Sequence, residues 1–212
     1  MSYTSPPRVK ICGITSKQDA MNASEAGADA IGLVFYPPSP RNVSAEQAEA
    51  ALDNIGPFTT TVGLFVNASA DAIRSILRQV PLQVLQFHGD EEREFCEQFE
   101  RPYIKALRMR PELDVLAAVK QYPSASAVLL DAYQAGVPGG TGATFDWQRM
   151  PQPGSIEQNI ILAGGLTSAN VALAIQQTTP YAVDVSGGVE SVPGEKDPEK
   201  IAAFIQQAKG IV

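Results

Sequence analysis

The feature that most constrains the fold is an alternation, repeated eight times, of short β-branched or apolar runs with amphipathic stretches. The runs read "RVKIC", "AIGLVF", "TTVGLFV", "QVLQF", "YIKALR", "AVLLD", "NIILAG" and "AVDVS". Helical patterns lie between them: one opens at Ser16 and runs toward Gly27, and others span 44–54, 71–79, 91–99, 113–121, 168–177 and 198–209. Only the sixth crossover is degenerate, with a short piece at 146–150. Eight units in 212 residues leave about 26 residues each, enough for a strand, a helix and two short loops. Runs apolar on both faces and separated by helices predict a parallel sheet covered by helices. The expectation is one α/β domain over residues 1–212, a closed (β/α)8 barrel with eight parallel strands and a short sixth crossover helix. An open doubly wound sheet is the alternative. It would carry a Gly-rich fingerprint after the first strand, and "ICGITS" is not one.

Charge narrows the partners. Sixteen basic and 23 acidic residues give a net charge of −7 without any basic run, which argues against nucleic acid and against an anionic membrane surface. The opening "MSYTSPPRVK" lacks the apolar core of a signal peptide, and no apolar run approaches a membrane span. Cys12 and Cys96 cannot make a disulfide framework, so a cytoplasmic protein is expected. Cys96, inside the helical pattern "EEREFCEQFE", reads as a small buried hydrophobe.

In a barrel of this kind the site lies where the strands end. The residues there are Cys12, Asn67, His88, Arg108, Asp131, Gly164–Gly165 and Ser186–Gly187–Gly188, with Arg41 just past the second strand. The opposite strand ends are plainer. That asymmetry points to an enzyme. Glycine pairs after the last two strands, in "LAGGL" and "DVSGGVE", suit a phosphate held by backbone N–H groups, and "GGTG" at 139–142 could close over it. Each pair alone could equally serve a tight turn.

Several residues carry two readings. Cys12 is either inert packing or a nucleophile or base; Asp131 is a cap, an ion-pair partner or a proton donor. Arg41 is a bidentate carboxylate clamp or a solvated loop residue. His88, the only histidine, rules out a His-rich metal site, and it either orients the following turn or contacts a ligand. Lys105 is a Schiff-base lysine or an inward-facing paired one. Lys10 shares a strand face with Cys12, as Asp184 does with Ser186. First and last strands are neighbours in a closed barrel, so Lys10 and Asp184 are expected to pair there.

Taken together, "KICGIT", "FYPPSPR", "GLFVN", "FHGDE", "LLDA", "GGTGATFDW", "LAGGL" and "DVSGGVE" resemble the phosphoribosylanthranilate isomerase family of the tryptophan pathway, in order along essentially the whole chain. The resemblance implies an Amadori rearrangement of a phosphosugar–anthranilate conjugate, with no metal or organic cofactor. It makes Cys12 the general base, Asp131 the general acid and Arg41 the holder of the anthranilate carboxylate. Gly142, Gly165, Ser186 and Gly187 would ring the phosphate, and His88, Gly164 and Asp184 complete the expected substrate-binding set. The resemblance leaves a monomer or a homodimer open. Two positions depart from the family pattern at the phosphate end: Gly187, where a serine is expected, and Ala143, where a lysine is frequent. A metal-dependent epimerase would want more histidines, and a histidine-pathway isomerase two aspartates. A lyase using Lys105 and a binding barrel without activity are the remaining rivals.

Overall fold

The computed structural model describes residues 6–53, 55–132, 145–151 and 154–210. Each apolar run becomes a strand: β1 (Arg8–Cys12), β2 (Ala30–Phe35), β3 (Thr60–Phe65), β4 (Val84–Phe87), β5 (Tyr103–Arg108), β6 (Ala127–Asp131), β7 (Asn159–Leu162) and β8 (Ala182–Val185). They pair in sequence order, all in parallel, and β8 closes on β1 with Lys10 opposite Asp184. The sheet is a closed barrel, not an open one.

The covering helices are α1 (Lys17–Glu25), α2 (Ala45–Leu52), α3 (Ala70–Gln79), α4 (Arg93–Glu97), α5 (Val115–Lys120), α6 (Val171–Thr178) and α7 (Pro198–Lys209). Among the described residues the sixth crossover carries only a 3₁₀ turn, Trp147–Arg149. Side-chain caps set several helix starts. Ser16, Ser44, Ser69, Asp114 and Asp197 each accept a backbone N–H of the first turn, and at Ser44 the Gln47 side chain returns the bond.

At α4 and α6 the helix begins later than its sequence pattern suggests, and a side chain near each start ties down the preceding loop. Glu91 does not open α4; its carboxylate accepts from Asn67 N (2.7 Å) and Gly89 N (2.9 Å). Asn170 accepts from Thr167 N and donates to Gly165 O, so α6 starts only at Val171. At five residues α4 is too short to persist alone. Phe95 and Phe99 hold it against Phe87, with ring centroids 6.0 and 5.8 Å away, and Tyr103 packs on the same ring.

Period-2 alternation sorts the strand side chains into two cores. Val9, Ile11, Leu33, Phe65, Phe87, Leu130 and Val183 face the helices and join Ala20, Ile73, Val119, Ile201 and Phe204 in the main core. Val62, Ile104, Ala106, Leu129, Ile161 and Ala182 form a smaller cluster inside the barrel. Lys105 alternates with that inner set and so lies on the helix side, correcting its expected inward orientation. It is buried there as a paired lysine, 2.9 Å from Glu91 Oε2 and 2.7 Å from Gly89 O, with its ammonium 5.5 Å from the centre of the Tyr122 ring.

After β8 the chain makes a 3₁₀ turn, Gly187–Val189, and then a hairpin not anticipated from the sequence: β9 (Glu190–Val192) against β10 (Glu195–Lys196). Among the described residues no helix is long and apolar enough to cross a membrane.

Candidate active site

Inner-face residues at the carboxyl ends of the strands turn from apolar to polar, and there the barrel opens into a cavity of about 710 Å³. Cys12, Arg41, His88, Asp131, Gly164, Gly165, Asp184, Ser186 and Gly187 all line it. Gln86 lines it too. Gly142 and Ala143, with the rest of "GGTG", lie outside the described residues. Asn67, after β3, and Arg108, at the end of β5, are not in the lining; they brace the β4–α4 loop from outside it. Asn67 Oδ1 accepts from Asp90 N, and Arg108 donates to His88 O at 3.1 Å.

Cys12 ends β1, and Gly13 follows at φ 75°, a left-handed conformation that glycine adopts without strain. Glycine is also required for space: a Cβ there would fall 2.6 Å from Arg41 Cδ and 2.9 Å from Ser186 Oγ. The chain can thus turn at once into the α1 loop while two cavity walls close over it. On neighbouring β2, a Cβ on Gly32 would lie 2.8 Å from Cys12 Sγ and 3.1 Å from Lys10 Nζ. The missing side chain is the room in which thiol and ammonium sit.

Lys10 and Asp184 pair at 2.6 Å, nearly fully buried, as the closed topology predicts. The lysine value is raised: burial opposes its charge, but Asp184 and Cys12 overcome that cost. The thiol of Cys12 is pushed up by burial and by Asp184, against the pull of Lys10 and Lys196. It therefore rests as a thiol beside cations that would stabilise its thiolate.

Three strands away, Asp131 ends β6. Its Oδ2 lies 3.2 Å from His88 Nε2, and His88 Nδ1 is 3.0 Å from Gln86 Nε2. The two ring nitrogens of His88 therefore bridge the Gln86 amide and the Asp131 carboxyl group. His88, the residue after β4, thus contacts a cavity carboxylate.

Arg41, in the β2–α2 loop, donates from Nε and Nη2 to the two Glu190 oxygens at 2.7 and 2.8 Å. It is no solvated loop residue. Lys196 binds the same carboxylate at 2.8 Å and reaches Ser186 O at 3.2 Å. Burial opposes the Glu190 charge, yet the Arg41 hydrogen bonds and the Lys196 charge hold its carboxyl below the usual range. Sequence reasoning quoted Glu190 in "DVSGGVE" without a role and passed over Lys196. The Pro-Gly turn in "VESVPGEK" was the available hairpin signal.

A closed parallel barrel with ionisable side chains gathered at the carboxyl ends of its strands defines a (β/α)8-barrel enzyme. Comparison with known proteins specifies which. Residues 9–207 match the family model for N-(5'-phosphoribosyl)anthranilate isomerase. The N-(5'-phosphoribosyl)anthranilate isomerase of Cellvibrio japonicus is 64% identical over 93% of this chain and 91% of its own length. A structure described as monomers of the dimeric phosphoribosylanthranilate isomerase from Thermotoga maritima is 37% identical, with TM-score 0.82 over 97% of this chain and 100% of that one. Another isomerase structure, in complex with reduced 1-(o-carboxyphenylamino)-1-deoxyribulose 5-phosphate, is 38% identical with TM-score 0.81, again over 97% and 100%. The chain belongs to the N-(5'-phosphoribosyl)anthranilate isomerase family.

Proposed function

We infer that Cys12 and Asp131 are the base and the acid of this chain's isomerase reaction. That reaction is the Amadori rearrangement of N-(5-phosphoribosyl)anthranilate to 1-(2-carboxyphenylamino)-1-deoxy-D-ribulose 5-phosphate, an aldose–ketose isomerisation in tryptophan biosynthesis. The observation that carries the inference is that Cys12, Asp131, Arg41 and the glycine-rich ends of β7 and β8 line one cavity.

Asp131 gives a proton to the furanose ring oxygen, the C1–O bond breaks, and the anilino nitrogen lone pair forms an iminium. That cation acidifies the C2–H. Cys12, as thiolate beside Lys10, takes the C2 proton, and the electron pair moves to form an enolamine. The Cys12 thiol then protonates C1 and the C2 hydroxyl proton passes to Asp131, which yields the ketone and returns both groups to their starting states. The chemistry asks for one acid, one base and two anion subsites. Arg41 takes the anthranilate carboxylate, and the Gly164–Gly165 and Ser186–Gly187 ends of β7 and β8 take the phosphate by backbone N–H donation. His88 orients Asp131.

The working unit in this reading is one barrel over residues 1–212, in the cytoplasm, as a monomer or homodimer, with the small phosphosugar as its partner. The test is to generate phosphoribosylanthranilate enzymatically and follow loss of its fluorescence with wild-type protein and with Cys12→Ala. Rapid loss with the first and none above background with the second is expected. Wild-type rates in Cys12→Ala would overturn the assignment.

A further inference from the structure

The cation expected to meet the substrate carboxylate already holds a carboxylate of the protein's own. Arg41 is engaged by its Nε/Nη2 edge, side-on, with Glu190. Such a pair could in principle cancel the arginine's usefulness. Two observations argue otherwise. Glu190 has a second partner, Lys196, whose side chain is fully buried and 2.8 Å away, so the three charges sum to +1 and the wall remains attractive to an anion. The side-on grip also leaves the Nη1 edge of the guanidinium outside the pair, and Arg41 lines the cavity.

The carboxylate is itself rigidly placed. Glu190 begins β9, its carbonyl accepts from Lys200 Nζ at 2.8 Å, and Lys196 ties it to Ser186. The hairpin tip is pinned as well: Gly194 O accepts from Thr15 Oγ1 at 2.7 Å, and a Cβ on Gly194 would fall 2.7 Å from Pro40 O. The loop that carries Arg41 and the hairpin that carries Glu190 are thereby fitted to each other across the cavity rim.

We propose that Glu190 is a positioning residue for carboxylate recognition: it holds Arg41 side-on so that the remaining guanidinium edge is fixed toward the aromatic carboxylate of the substrate. The proposal rests on the reading of Arg41 as carboxylate holder. An arginine otherwise loses substantial rotamer freedom on binding, and ordering it beforehand removes that cost from the binding step. Glu190 should therefore contribute to affinity only for ligands that carry the carboxylate.

The experiment compares dissociation constants of two ligands: reduced 1-(o-carboxyphenylamino)-1-deoxyribulose 5-phosphate and its counterpart made from aniline, which lacks the carboxylate. The readout is the ratio of the two constants. Arg41→Ala should bring the ratio close to one, a loss of roughly 10- to 100-fold in selectivity. Glu190→Gln should lower it about tenfold, with binding of the aniline compound changed little. Because Glu190→Gln leaves Lys196 buried beside a neutral amide, Glu190→Gln/Lys196→Met serves as the second variant and should show the same drop. A merely structural role would weaken both ligands equally and leave the ratio at its wild-type value. That result in either soluble variant overturns the proposal while the Arg41 reading stands. If Arg41→Ala itself keeps the wild-type ratio, the carboxylate reading fails and the proposal with it.

Discussion

The two walls of the cavity handle charge in opposite ways. Around Cys12, β1 and β8 bring a buried ion pair, Lys10–Asp184, and Lys196 adds a further cation. Around Asp131, β4 and β6 bring a chain of hydrogen-bonding groups, Gln86 to His88 to Asp131, with no lysine or arginine in it. A buried pair is weak evidence for stability, because desolvation offsets most of its attraction. Its presence beside a thiol is better explained by chemistry: a thiol displaced upward by burial needs fixed positive charge if a thiolate is to form during turnover. In the proposed reaction the aspartate delivers a proton, and what it meets is the His88 ring.

The sharpest break in this comparison is to remove either reacting group. Cys12→Ala and Asp131→Asn should each lower kcat by about 10² to 10⁴ or more, with far smaller changes in binding of the product analogue. Cys12→Ser should fail similarly, since no base stands ready to ionise a serine hydroxyl at that point. Circular dichroism melting should find all three proteins folded.

Lys10→Met tests whether the base wall depends on its pair. It strands Asp184 in the interior and should destabilise the fold by about 3–5 kcal/mol in urea titration. It should also act on the pH profile. Lys10 pulls the Cys12 value down, so its loss pushes the thiol further up. The rise of kcat/KM with pH should then move to higher pH than in wild type. An unmoved profile would mean that the pair serves packing alone.

A smaller effect separates Cys12 from the other cysteine. Burial raises the Cys96 thiol from 9.0 to about 12. Between those values the folded protein keeps a proton that the unfolded chain has released, so stability is intact below about 9 and declines as pH rises toward 12. Tyr122, raised by burial from 10.0 to about 12, adds to the same decline. Urea titrations across that range should show a shallower decline in Cys96→Ala. Smallest of all, Arg8→Ala at the opposite end of the barrel removes an exposed bond to Asp29 and should leave the urea midpoint essentially where it is in wild type.

Much of this was readable in advance, for local reasons. Strand and helix periods are properties of neighbouring residues, so all eight strands fall where their apolar runs lie, and Ser44 and Asp197 cap the helices they precede. Parity carried the reading one step further. Once the barrel is taken as closed, Lys10 and Asp184 share an interior level although 174 positions separate them, and their pairing follows. Parity also contains the error over Lys105: alternation with Ile104 and Ala106 puts it on the helix side, where Glu91 waits.

What no local pattern contains is the course of loops over the rim. Arg41 and Glu190 lie 149 positions apart, and neither belongs to a barrel strand whose register could bring them together. Their meeting depends on where the β2–α2 loop and the β9–β10 hairpin happen to pack, which only the folded chain decides. The same holds for Gln86, whose place on β4 was plain but whose contact with His88 depends on side-chain orientation inside the barrel. Sequence alone determined the eightfold barrel and the residues at its mouth, because periodicity and strand ends are written residue by residue. Tertiary structure decided which of those residues hold one another, because charges buried at a shared rim must find partners wherever the fold brings them.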